Sequence, residues 1–499
     1  MLLFIISLII VAIPVKAEVT YEYWWGGLEK DEARGIAIYF NGDIIVVGNT
    51  YSFGVGTPTY SNVFVARIDG DTGQYLWSIW FGGPYNEYAI DVAVDLEGNV
   101  YVVGVTGSYK VTIPDAFIVK INSSGYPEWA YHWGFAATAY DNKAIGVAVD
   151  KQNNVYVVGS GYSGTYWYDA LGLSFTSDGS LRWSSIYRTS VAEELADVIV
   201  APDGSALYVV GHRYYAGSDY HIVLAGISPT DGRITWQRYV GAVAMAGRRL
   251  VADTNGNLYV IGSTKYQSHG LHDIILFKYN TKTNRVEWFK IIGGSGKDGA
   301  GYPDHFYPWG IAILGGDGIY ITAYTESIGQ GLEDFYIAKY TFNGEKVWSK
   351  TWGTTGSDVP GGIALLAGKV LVTGLANATT GVLADLSLNE TYYTPAVGSE
   401  GLSTVDGLTP YAITLTQGTN WDFIPTANLD PTAPTAILIS LDLNGNPVSV
   451  TYYVVGGILE DINSNLLSVR NNMGVALLPI LLVLIALSLL LIRRTIPTS

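Results

Sequence analysis

The sequence contains no cysteine among its 499 residues. Disulfides, thiolate catalysis, iron–sulfur clusters and cysteine-ligated zinc are therefore excluded. Charged residues make up only 14% of the chain, and 44 acidic residues against 28 basic ones give a net charge of −16. A chain with no basic footprint is poorly suited to binding phosphates, so a nucleic-acid partner is excluded as well.

The abundant residues are glycine, with 59 copies, and tyrosine, with 37. This composition is typical of a turn-rich all-β protein. One strand motif, Gly98–Gly104, joins a Gly-Asn turn to four residues of high β-propensity and a closing glycine. The motif recurs at Gly42–Gly48, Asn153–Gly159 and Gly256–Gly262, so the chain is built from repeats.

Each repeat predicts four strands, which we call A to D, and the motif above is strand B. Strand A places an alanine at a spacing of about 50 residues, within the range of propeller blades. Those alanines are Ala37, Ala93, Ala148, Ala252, Ala312, Ala364 and Ala412, with Ile199 in the fourth unit. The sequence predicts seven clear units, of which the seventh has Val382–Leu388 as strand C.

An eighth, degenerate unit is predicted after the seventh. Its four strands would be Tyr411–Leu415, Trp421–Ile424, Ile437–Leu443 and Val450–Val455. A four-stranded unit buries both faces only when sheets are stacked radially, so the expected fold is an all-β propeller. Either Thr20–Gly27 or Thr451–Gly457 could complete the last blade, because both resemble strand D.

These motifs resemble the β-propeller repeat family of prokaryotic surface proteins. Residues 20–457 carry the resemblance, and Asp115–Lys120 and Asp334–Lys339 match its Asp-x-Phe-Val-x-Lys element. That family is often seven-bladed, and its motif fixes a fold rather than a function. The turn Asp69–Gly73 before Trp77 also looks like the docking turn of quinoprotein propellers. Pyrroloquinoline quinone is nevertheless disfavoured, because no other feature of the sequence supplies its pocket.

The two ends of the chain predict export and membrane anchoring. Residues 1–17 have the apolar run and small-x-Ala site of a signal peptide. Residues 473–492 contain no charge and are long enough to span a bilayer as a helix. Arg493 and Arg494 begin a short cytoplasmic tail, 493–499, so the propeller, 18–457, would lie outside the cell, joined to a single-pass type I anchor by a linker, 458–472.

The B–C and D–A connections of an antiparallel meander lie on one face, which we call the loop face. Its B–C loops are rich in aromatic rings, and such rings give a large contact area at a low entropic cost. The candidate ligand-binding residues are Tyr109, Tyr166, Trp167, Tyr168, Tyr214, Tyr215 and Tyr266. The ligand would be a glycan or a surface protein; the alternative is that these rings only pack the loops onto the blades.

Five histidines are predicted to lie on the same face, in units 4 to 6, where they could hold a metal ion. They are His212, His221, His269, His272 and His305. The acidic residues that precede strand A are Asp31, Glu87, Glu193 and Asp358, and they could bind calcium. The alternative is that they accept hydrogen bonds from turn backbone. Three sequons, at Asn122, Asn377 and Asn389, are candidate glycosylation sites.

The sequence therefore favours a membrane-anchored cell-surface propeller that acts in binding, adhesion or envelope interaction through its loop face. Two alternatives stay open: an extracellular enzyme of the quinoprotein or glycan-active type, and a structural component of the envelope. No serine–histidine–acid order, phosphate-binding glycine loop or glycosidase signature favours the enzyme.

Overall fold

The structure is a computed structural model that describes most of the chain. The described residues are 15–16, 22–71, 73, 75–109, 114–135, 141–162, 168–215, 219–241, 244–299, 310–377, 381–399, 402–406, 408–413, 416–419, 435–448 and 453–454. The chain divides into two compact units, Met1–Thr20 with Ser449–Ser499, and Tyr21–Val448. In the first unit, β1 (Val15–Lys16) pairs antiparallel with Tyr453–Val454. The second unit begins with β2 (Glu22–Trp25).

Six consecutive four-stranded antiparallel meanders form the first six blades of the second unit. Blades 1 to 3 consist of β3 (Asp31–Ile38), β4 (Ile44–Thr50), β5 (Asn62–Ile68), β6 (Tyr75–Gly82), β7 (Glu87–Val94), β8 (Val100–Thr106), β9 (Asp115–Ile121), β10 (Pro127–Trp133), β11 (Lys143–Val149), β12 (Val155–Tyr162), β13 (Tyr168–Phe175) and β14 (Leu181–Arg188). Blades 4 to 6 consist of β15 (Ala192–Val200), β16 (Leu207–Tyr215), β17 (Asp219–Ile227), β18 (Ile234–Val240), β19 (Met245–Ala252), β20 (Asn257–Thr264), β21 (Asp273–Asn280), β22 (Arg285–Gly293), β23 (Gly310–Leu314), β24 (Gly318–Thr325), β25 (Asp334–Tyr340) and β26 (Lys346–Gly353).

The seventh blade is assembled from distant parts of the sequence. Its strands A and B are β27 (Val359–Leu366) and β28 (Lys369–Ala376). The chain then leaves the blade and returns only at strand C, Thr435–Asp442, which pairs with β28. Strand D is the N-terminal β2, whose Trp25 pairs with Ala436. Of the two segments that could complete the ring, the structure therefore uses the N-terminal one.

Between strands B and C of blade 7 the chain runs around the outside of the propeller. Six short strands there each add a fifth, antiparallel strand to strand D of one blade, in the order 6, 5, 4, 3, 2, 1. We call these six strands, together with the residues that connect them, the belt. They are β29 (Val382–Ala384), β30 (Asn389–Tyr392), β31 (Val397–Gly398), β32 (Ser403–Asp406), β33 (Tyr411–Ala412) and β34 (Thr416–Thr419). After the belt come β35 (Thr435–Asp442), which is strand C of blade 7, and β36 (Tyr453–Val454) in the first unit.

The prediction of eight repeats is not confirmed, because the described strands form seven blades. Val382–Leu388 is belt rather than strand C of unit 7, and Tyr411–Leu415 overlaps the belt strand β33 rather than forming a new strand A. Ile437–Leu443, assigned to an eighth unit, supplies the missing strand of blade 7. Among the other strands assigned to that unit, Trp421–Ile424 lies outside the described residues.

The belt is held by one apolar side chain in most of the grooves between blades. Leu388 joins the buried cluster of Ile292 and Ile321, from blades 5 and 6. Leu402 enters the cluster between blades 3 and 4 in the same way. The remaining belt side chains packed against such clusters are Leu383, Tyr393, Val405, Leu408 and Ile413. Apolar burial therefore fixes the belt along much of its course.

The recurring Gly-Asn-x-Tyr motif is explained by an aspartate just before it. In blade 2, Asp95 accepts hydrogen bonds from the backbone and side chain of Asn99 and from the hydroxyl of Tyr101. Gly98 takes a φ of +83° in this turn, a conformation that favours glycine. Asp150 and Asp253 form the same set of bonds in blades 3 and 5. The motif thus encodes a closed A–B turn.

The tryptophan of strand D connects each of five blades to the next one. The indole of Trp77 donates to the carbonyl of Ser123, in the C–D turn of blade 2, over 3.0 Å. Gly125 in that turn leaves room for the ring, since a Cβ there would lie 2.9 Å from it. Equivalent bonds join Trp129 to Ser177, Trp183 to Pro229, Trp288 to Phe342 and Trp348 to Leu443. The turn Asp69–Gly73, which resembles a quinoprotein docking turn, also contacts a neighbouring blade, since Lys369 of blade 7 donates to the carbonyl of Gly70 over 3.2 Å.

Among the described residues no helix is long and apolar enough to cross a membrane. The segment 473–492, for which the sequence predicts such a helix, lies outside the described residues.

We expect the variant Leu388→Ala to lower the free energy of unfolding by about 2–5 kcal/mol, because Leu388 is only 4% exposed in an inter-blade cluster. Val382→Ala is the matched control, since Val382 lies in the same belt but is 48% exposed. Urea denaturation of both variants measures the difference. Equal, small effects from the two variants would show that the belt contributes little to stability.

Candidate functional site

The loop face is held together by a carboxylate at the start of strand A. Asp31 accepts hydrogen bonds from the backbone N–H of Gly27 and from the hydroxyl of Ser52, both over 2.7 Å. Glu87, Glu193 and Asp358 make equivalent bonds to the connection that precedes their own strand. These four acids therefore bind turn backbone and hydroxyl groups, as one of the two sequence-based alternatives expected, rather than gathering around a cation.

Burial raises the pKa of each of these acids above its usual range. The pKa of Asp31 rises to about 6 and that of Glu193 to about 7, and desolvation is the largest cause in both cases. The pKa values of Glu87 and Asp358 are raised for the same reason. The loop face thus carries carboxyl groups that change protonation near neutral pH.

The innermost strands leave a channel along the propeller axis, and one ring of residues narrows it. Each blade contributes one residue to this ring, from the same position of strand A, which directly follows the β-bulge in the blades that have one. The seven residues are Gly35, Asp91, Gly146, Asp197, Arg249, Gly310 and Gly362. Glycine is required where neighbouring strands approach closely, because a Cβ at Gly146 would lie 2.9 Å from the Cα atom of Asp197. The three charged members of the ring project into this space.

Arg249 joins the two aspartates of the ring. Its guanidinium lies 3.5 Å from a carboxylate oxygen of Asp91, in blade 2, and 3.4 Å from one of Asp197, in blade 4. Blades 2 and 5 are not neighbours in the ring, so the Asp91–Arg249 pair crosses the channel. Burial raises the pKa of both carboxyl groups against the opposing effect of Arg249, and that of Asp197 reaches about 7. The cluster thus places charged rather than apolar side chains at this level of the channel.

A second group of charges lies nearer the loop face. Glu194 accepts a hydrogen bond from the hydroxyl of Ser160 over 3.0 Å and lies 3.8 Å from the guanidinium of Arg248. Glu32 pairs with Arg34 over 2.5 Å in blade 1. These side chains are all buried, so the channel mouth is lined by paired charges from blades 1, 4 and 5 and by a hydroxyl group from blade 3.

The candidate aromatic residues that the structure describes are packed against other groups. Tyr109 lies beside His132, whose ring in turn lies 5.6 Å from that of Tyr411 in the belt. Tyr266 packs edge-on against another belt ring, that of Tyr393. The loop tyrosines at these two positions therefore help to hold the belt.

The other candidate rings also have neighbours. Tyr168 lies edge-on to Tyr162 and under the ammonium group of Lys143. Tyr214 packs on Tyr220 with 4.8 Å between ring centroids. Tyr215 ends β16, whereas Tyr166 and Trp167 lie outside the described residues. The described rings thus agree with the packing alternative more closely than with a free aromatic surface.

The structure does not bring the described histidines together. His212 is buried beside Glu194 and Tyr220, and His221 lies on β17 opposite Arg213. Within the described part of the chain no group of three or more metal-ligating side chains is found. His305, the fifth candidate, lies outside the described residues.

His269 has a different role, which the sequence did not reveal. Its Nδ1 lies 2.8 Å from the carboxylate of Asp273, and its Nε2 lies 2.8 Å from the hydroxyl of Thr391 in the belt. The order acid, imidazole, hydroxyl also occurs in hydrolases. Here the hydroxyl belongs to an exposed residue on the outer rim, and the chain of bonds fastens β30 to the B–C loop of blade 5.

Two neighbouring blades expose a leucine in the same way, and the sequence analysis missed both. Gly270-Leu271-His272-Asp273 in blade 5 corresponds to Gly331-Leu332-Glu333-Asp334 in blade 6. The backbone N–H of Leu271 donates to the carbonyl of Gly296, and that of Leu332 donates to the carbonyl of Gly356. Leu271 is 60% exposed and Leu332 is 68% exposed. The repeated Gly-Leu-x-Asp sequence is the signal that could have identified them.

The exposed apolar surface continues across the loop face. Leu28, in the connection between blades 7 and 1, is 71% exposed, and Tyr85, between blades 1 and 2, is 51% exposed. We call Leu28, Tyr85, Leu271 and Leu332 the leucine surface. Single exposed apolar residues are common on protein surfaces, but the repetition in rigidly bonded loops is not.

A small cleft adjoins this surface between blades 4 and 5. Tyr220, Met245, Thr264, Lys265 and His272 line it, and its cavity volume is about 50 Å³. Burial, followed by the charges of Lys265 and Lys297, lowers the pKa of His272 to about 4, so its ring is neutral at pH 7. A cavity of this size holds a few water molecules.

The three sequons lie in different settings. Asn122 is in the C–D turn of blade 2, where its side-chain oxygen accepts bonds from Ser124 and Tyr126. Asn377 follows β28, and its backbone N–H donates to Asp358. Asn389 begins β30 and is exposed. Their modification stays a prediction.

Blades of four strands, the closed ring and the inter-blade tryptophans define a seven-bladed β-propeller. A family model described as outer membrane protein assembly factor BamB matches residues 60–323. The match covers more than half of the chain, and the protein therefore belongs to that family. No curated protein matches the sequence.

Several solved structures are similar to this chain at low identity. The quinohemoprotein alcohol dehydrogenase ADHIIG from Pseudomonas putida HK5 is 11% identical, with a TM-score of 0.34 over 90% of this chain and 80% of that chain. The NanB sialidase from Streptococcus pneumoniae is 9% identical, with a TM-score of 0.37 over 72% and 67%. Extracellular domains 1–2 of Drosophila Semaphorin 1b are 8% identical, with a TM-score of 0.42 over 72% and 86%. Likenesses at this level carry no argument about function.

We expect Asp31→Asn to remove a pH dependence of stability. The raised pKa means that the folded chain keeps a proton between about pH 3.8 and pH 6 that the unfolded chain releases, so stability falls as pH rises through that window. Across that window the free energy of unfolding falls by about 3 kcal/mol, at about 1.4 kcal/mol per pKa unit. Denaturation at pH 4 and pH 7 measures it, with Asp71→Asn, an exposed site in the same blade, as the control. Parallel pH profiles for the wild type and Asp31→Asn would contradict the assignment.

We expect Arg249→Met to destabilise the propeller by about 3–5 kcal/mol at pH 8, because two buried carboxylates would lose their counter-charge. The loss should be smaller at pH 5, which lies below the pKa of about 7 of Asp197, because that carboxyl group then carries no charge. Arg233→Met is the control, since that arginine is 80% exposed. A pH-independent loss would mean that Arg249 acts through packing alone.

Proposed function

We propose that the protein is an exported, membrane-anchored propeller whose loop face binds a component of the cell envelope or cell surface. The observation that carries the proposal is the leucine surface. Leu271 and Leu332 occupy equivalent positions in neighbouring blades, their backbone N–H groups are bonded to equivalent D–A connections, and both side chains are exposed. Exposing a leucine has no benefit for folding, so the repetition favours a contact with a partner.

Other features support binding rather than chemistry on this face. The D–A acids are bonded to backbone, the described histidines are separated, and the cleft beside His272 is small. The fold itself is compatible with many functions, and membership of the family described as an outer membrane assembly factor is consistent with an envelope role.

The anchor and the export signal remain part of this proposal. The support for them is the apolar run 1–14 with its cleavage pattern and the uncharged run 473–492 followed by two arginines. Under this proposal the sequon at Asn389, in the belt, faces an exterior compartment, where glycans are added.

We expect the double variant Leu271→Ser, Leu332→Ser to weaken binding of the full chain to the isolated envelope fraction of its source by about tenfold or more, because two apolar contacts would be lost. Leu181→Ser, a half-exposed position at the start of strand D in blade 3, is the matched control. Surface plasmon resonance of detergent-solubilised protein measures the affinities. Unchanged affinity in the double variant, or no binding by the wild type, would contradict the proposal.

A further inference from the structure

The face opposite the loop face is formed by the A–B and C–D turns, and we call it the turn face. Its A–B turns differ sharply between two sectors. In blades 3, 4 and 5 the exposed tips are polar or kinked, with Lys151-Gln152, Pro202-Asp203 and Thr254-Asn255. In blades 6, 7, 1 and 2, which adjoin one another in the ring, each exposed tip includes an apolar residue, in the pairs Leu314-Gly315, Ala367-Gly368, Phe40-Asn41 and Leu96-Glu97.

Three large apolar side chains are exposed in the second sector. Phe40 at the tip of blade 1 is 71% exposed, Leu96 at the tip of blade 2 is 58% exposed, and Leu314 beside the tip of blade 6 is 37% exposed. In blade 7 the tip is Ala367-Gly368. Tyr126, in the C–D turn of blade 2, is 60% exposed on the same face.

These turns contact one another and form one continuous surface. A Cβ at Gly98, in the A–B turn of blade 2, would lie 2.7 Å from the ring of Tyr39, in that of blade 1. A Cβ at Gly42 would lie 3.5 Å from Leu366 of blade 7. The charges within the sector are largely paired, because Asp43 binds Arg67 and Asp317 binds Lys339. Its exposed carboxylates are Asp71, Glu97, Glu128 and Glu345, of which Glu128 pairs with Lys120.

The propeller chain ends in the middle of this sector. Strand β35 of blade 7 runs from the loop face to the turn face, and residues 443–448 form the C–D turn that follows it. The N-terminal strand β2 starts at Glu22, opposite Ile439, so it also enters blade 7 from this side. The sequence after Val448 continues for 51 residues and contains the uncharged run 473–492.

We propose that the sector formed by blades 6, 7, 1 and 2 lies on the lipid bilayer, with Phe40, Leu96 and Leu314 in its interfacial region. This inference rests on the proposed function, because the bilayer is the one that residues 473–492 would span. Apolar and aromatic side chains favour the membrane interface, and neutralised charge nearby lowers the cost of approach. The loop face with its leucine surface then points away from the membrane, towards a partner.

The absence of cysteine makes a direct test available. Single-cysteine variants of the full chain, Phe40→Cys and Leu96→Cys, can each carry one nitroxide spin label in phosphatidylcholine nanodiscs. Gln152→Cys, in the polar sector of the same face, and Leu332→Cys, on the loop face, are the matched controls. Collision rates with oxygen, which concentrates in lipid, and with a water-soluble nickel chelate report the surroundings of each label.

We expect the ratio of oxygen to nickel collisions to be several-fold higher at positions 40 and 96 than at positions 152 and 332. Equal ratios at all four positions would overturn the inference, and so would labels at 40 and 96 that are shielded from both reagents, which would indicate a protein partner. Incorporation of the chain into nanodiscs is scored separately. A chain that fails to incorporate refutes the anchor itself, whereas an incorporated chain with water-exposed labels refutes only the docking.

Discussion

The packing of each sheet against the next is the interaction on which the rest of this structure depends. A four-stranded blade has two apolar faces, and only a neighbour on each side can cover them. The tryptophan of strand D sets the spacing on the outside of this contact, because its indole must reach a carbonyl in the following blade. On the inside, glycines such as Gly146 let the inner strands approach. Where a ring position is not glycine, the side chain must enter the channel, and Asp91, Asp197 and Arg249 do so as a mutually compensating set.

Closure of the ring follows from the same packing, since an incomplete seventh blade would leave both terminal blades uncovered. The chain solves this by combining β2 with β35 and by surrounding the other six blades with the belt. The belt contributes both apolar contacts, such as Leu388, and polar ones, such as Glu390, whose carboxylate lies 2.6 Å from the ammonium of Lys290. It is therefore part of the propeller core as well as its rim.

The sequence was sufficient to predict the strands of blades 1 to 6, because period-two alternation, Gly-Asn turns and tryptophans repeat there. The strands that the sequence assigned to the seventh blade were partly incorrect, for a physical reason. A belt residue such as Tyr411 pairs with the edge of strand D, so the sequence around it resembles that of a blade strand, although it is not part of any four-stranded meander. Strand β35 has all the local features of a strand C, but its partner β28 is separated from it by the whole belt. A local sequence pattern indicates strand propensity, but it does not indicate which distant strand will be the pairing partner.

The candidate site shows the same limit. The aromatic loop residues were candidates because of their type, yet Tyr266 contacts the belt and Tyr109 packs on His132, which contacts it, and neither contact could be foreseen without the fold. Leu271 and Leu332 passed unnoticed, because exposure cannot be read from a leucine in a loop. The acids Asp31 and Asp358 were interpretable either as cation ligands or as turn acceptors, and only the positions of the neighbouring N–H groups distinguish the two.

The composite seventh blade also has a consequence for biosynthesis. Strand β2 ends at Trp25 and its partner β35 begins at Thr435, so the two are 410 positions apart. At about 5–20 residues per second, ribosomes need roughly 20–80 seconds to make the intervening chain. During that interval the first strand to emerge has no sheet to join, while six blades complete themselves behind it. The edge of β2 thus stays unpaired for longer than any other part of the propeller, and during that time it must be kept from pairing with other strand edges. Export in an unfolded state would shorten the time for which this edge is unpaired.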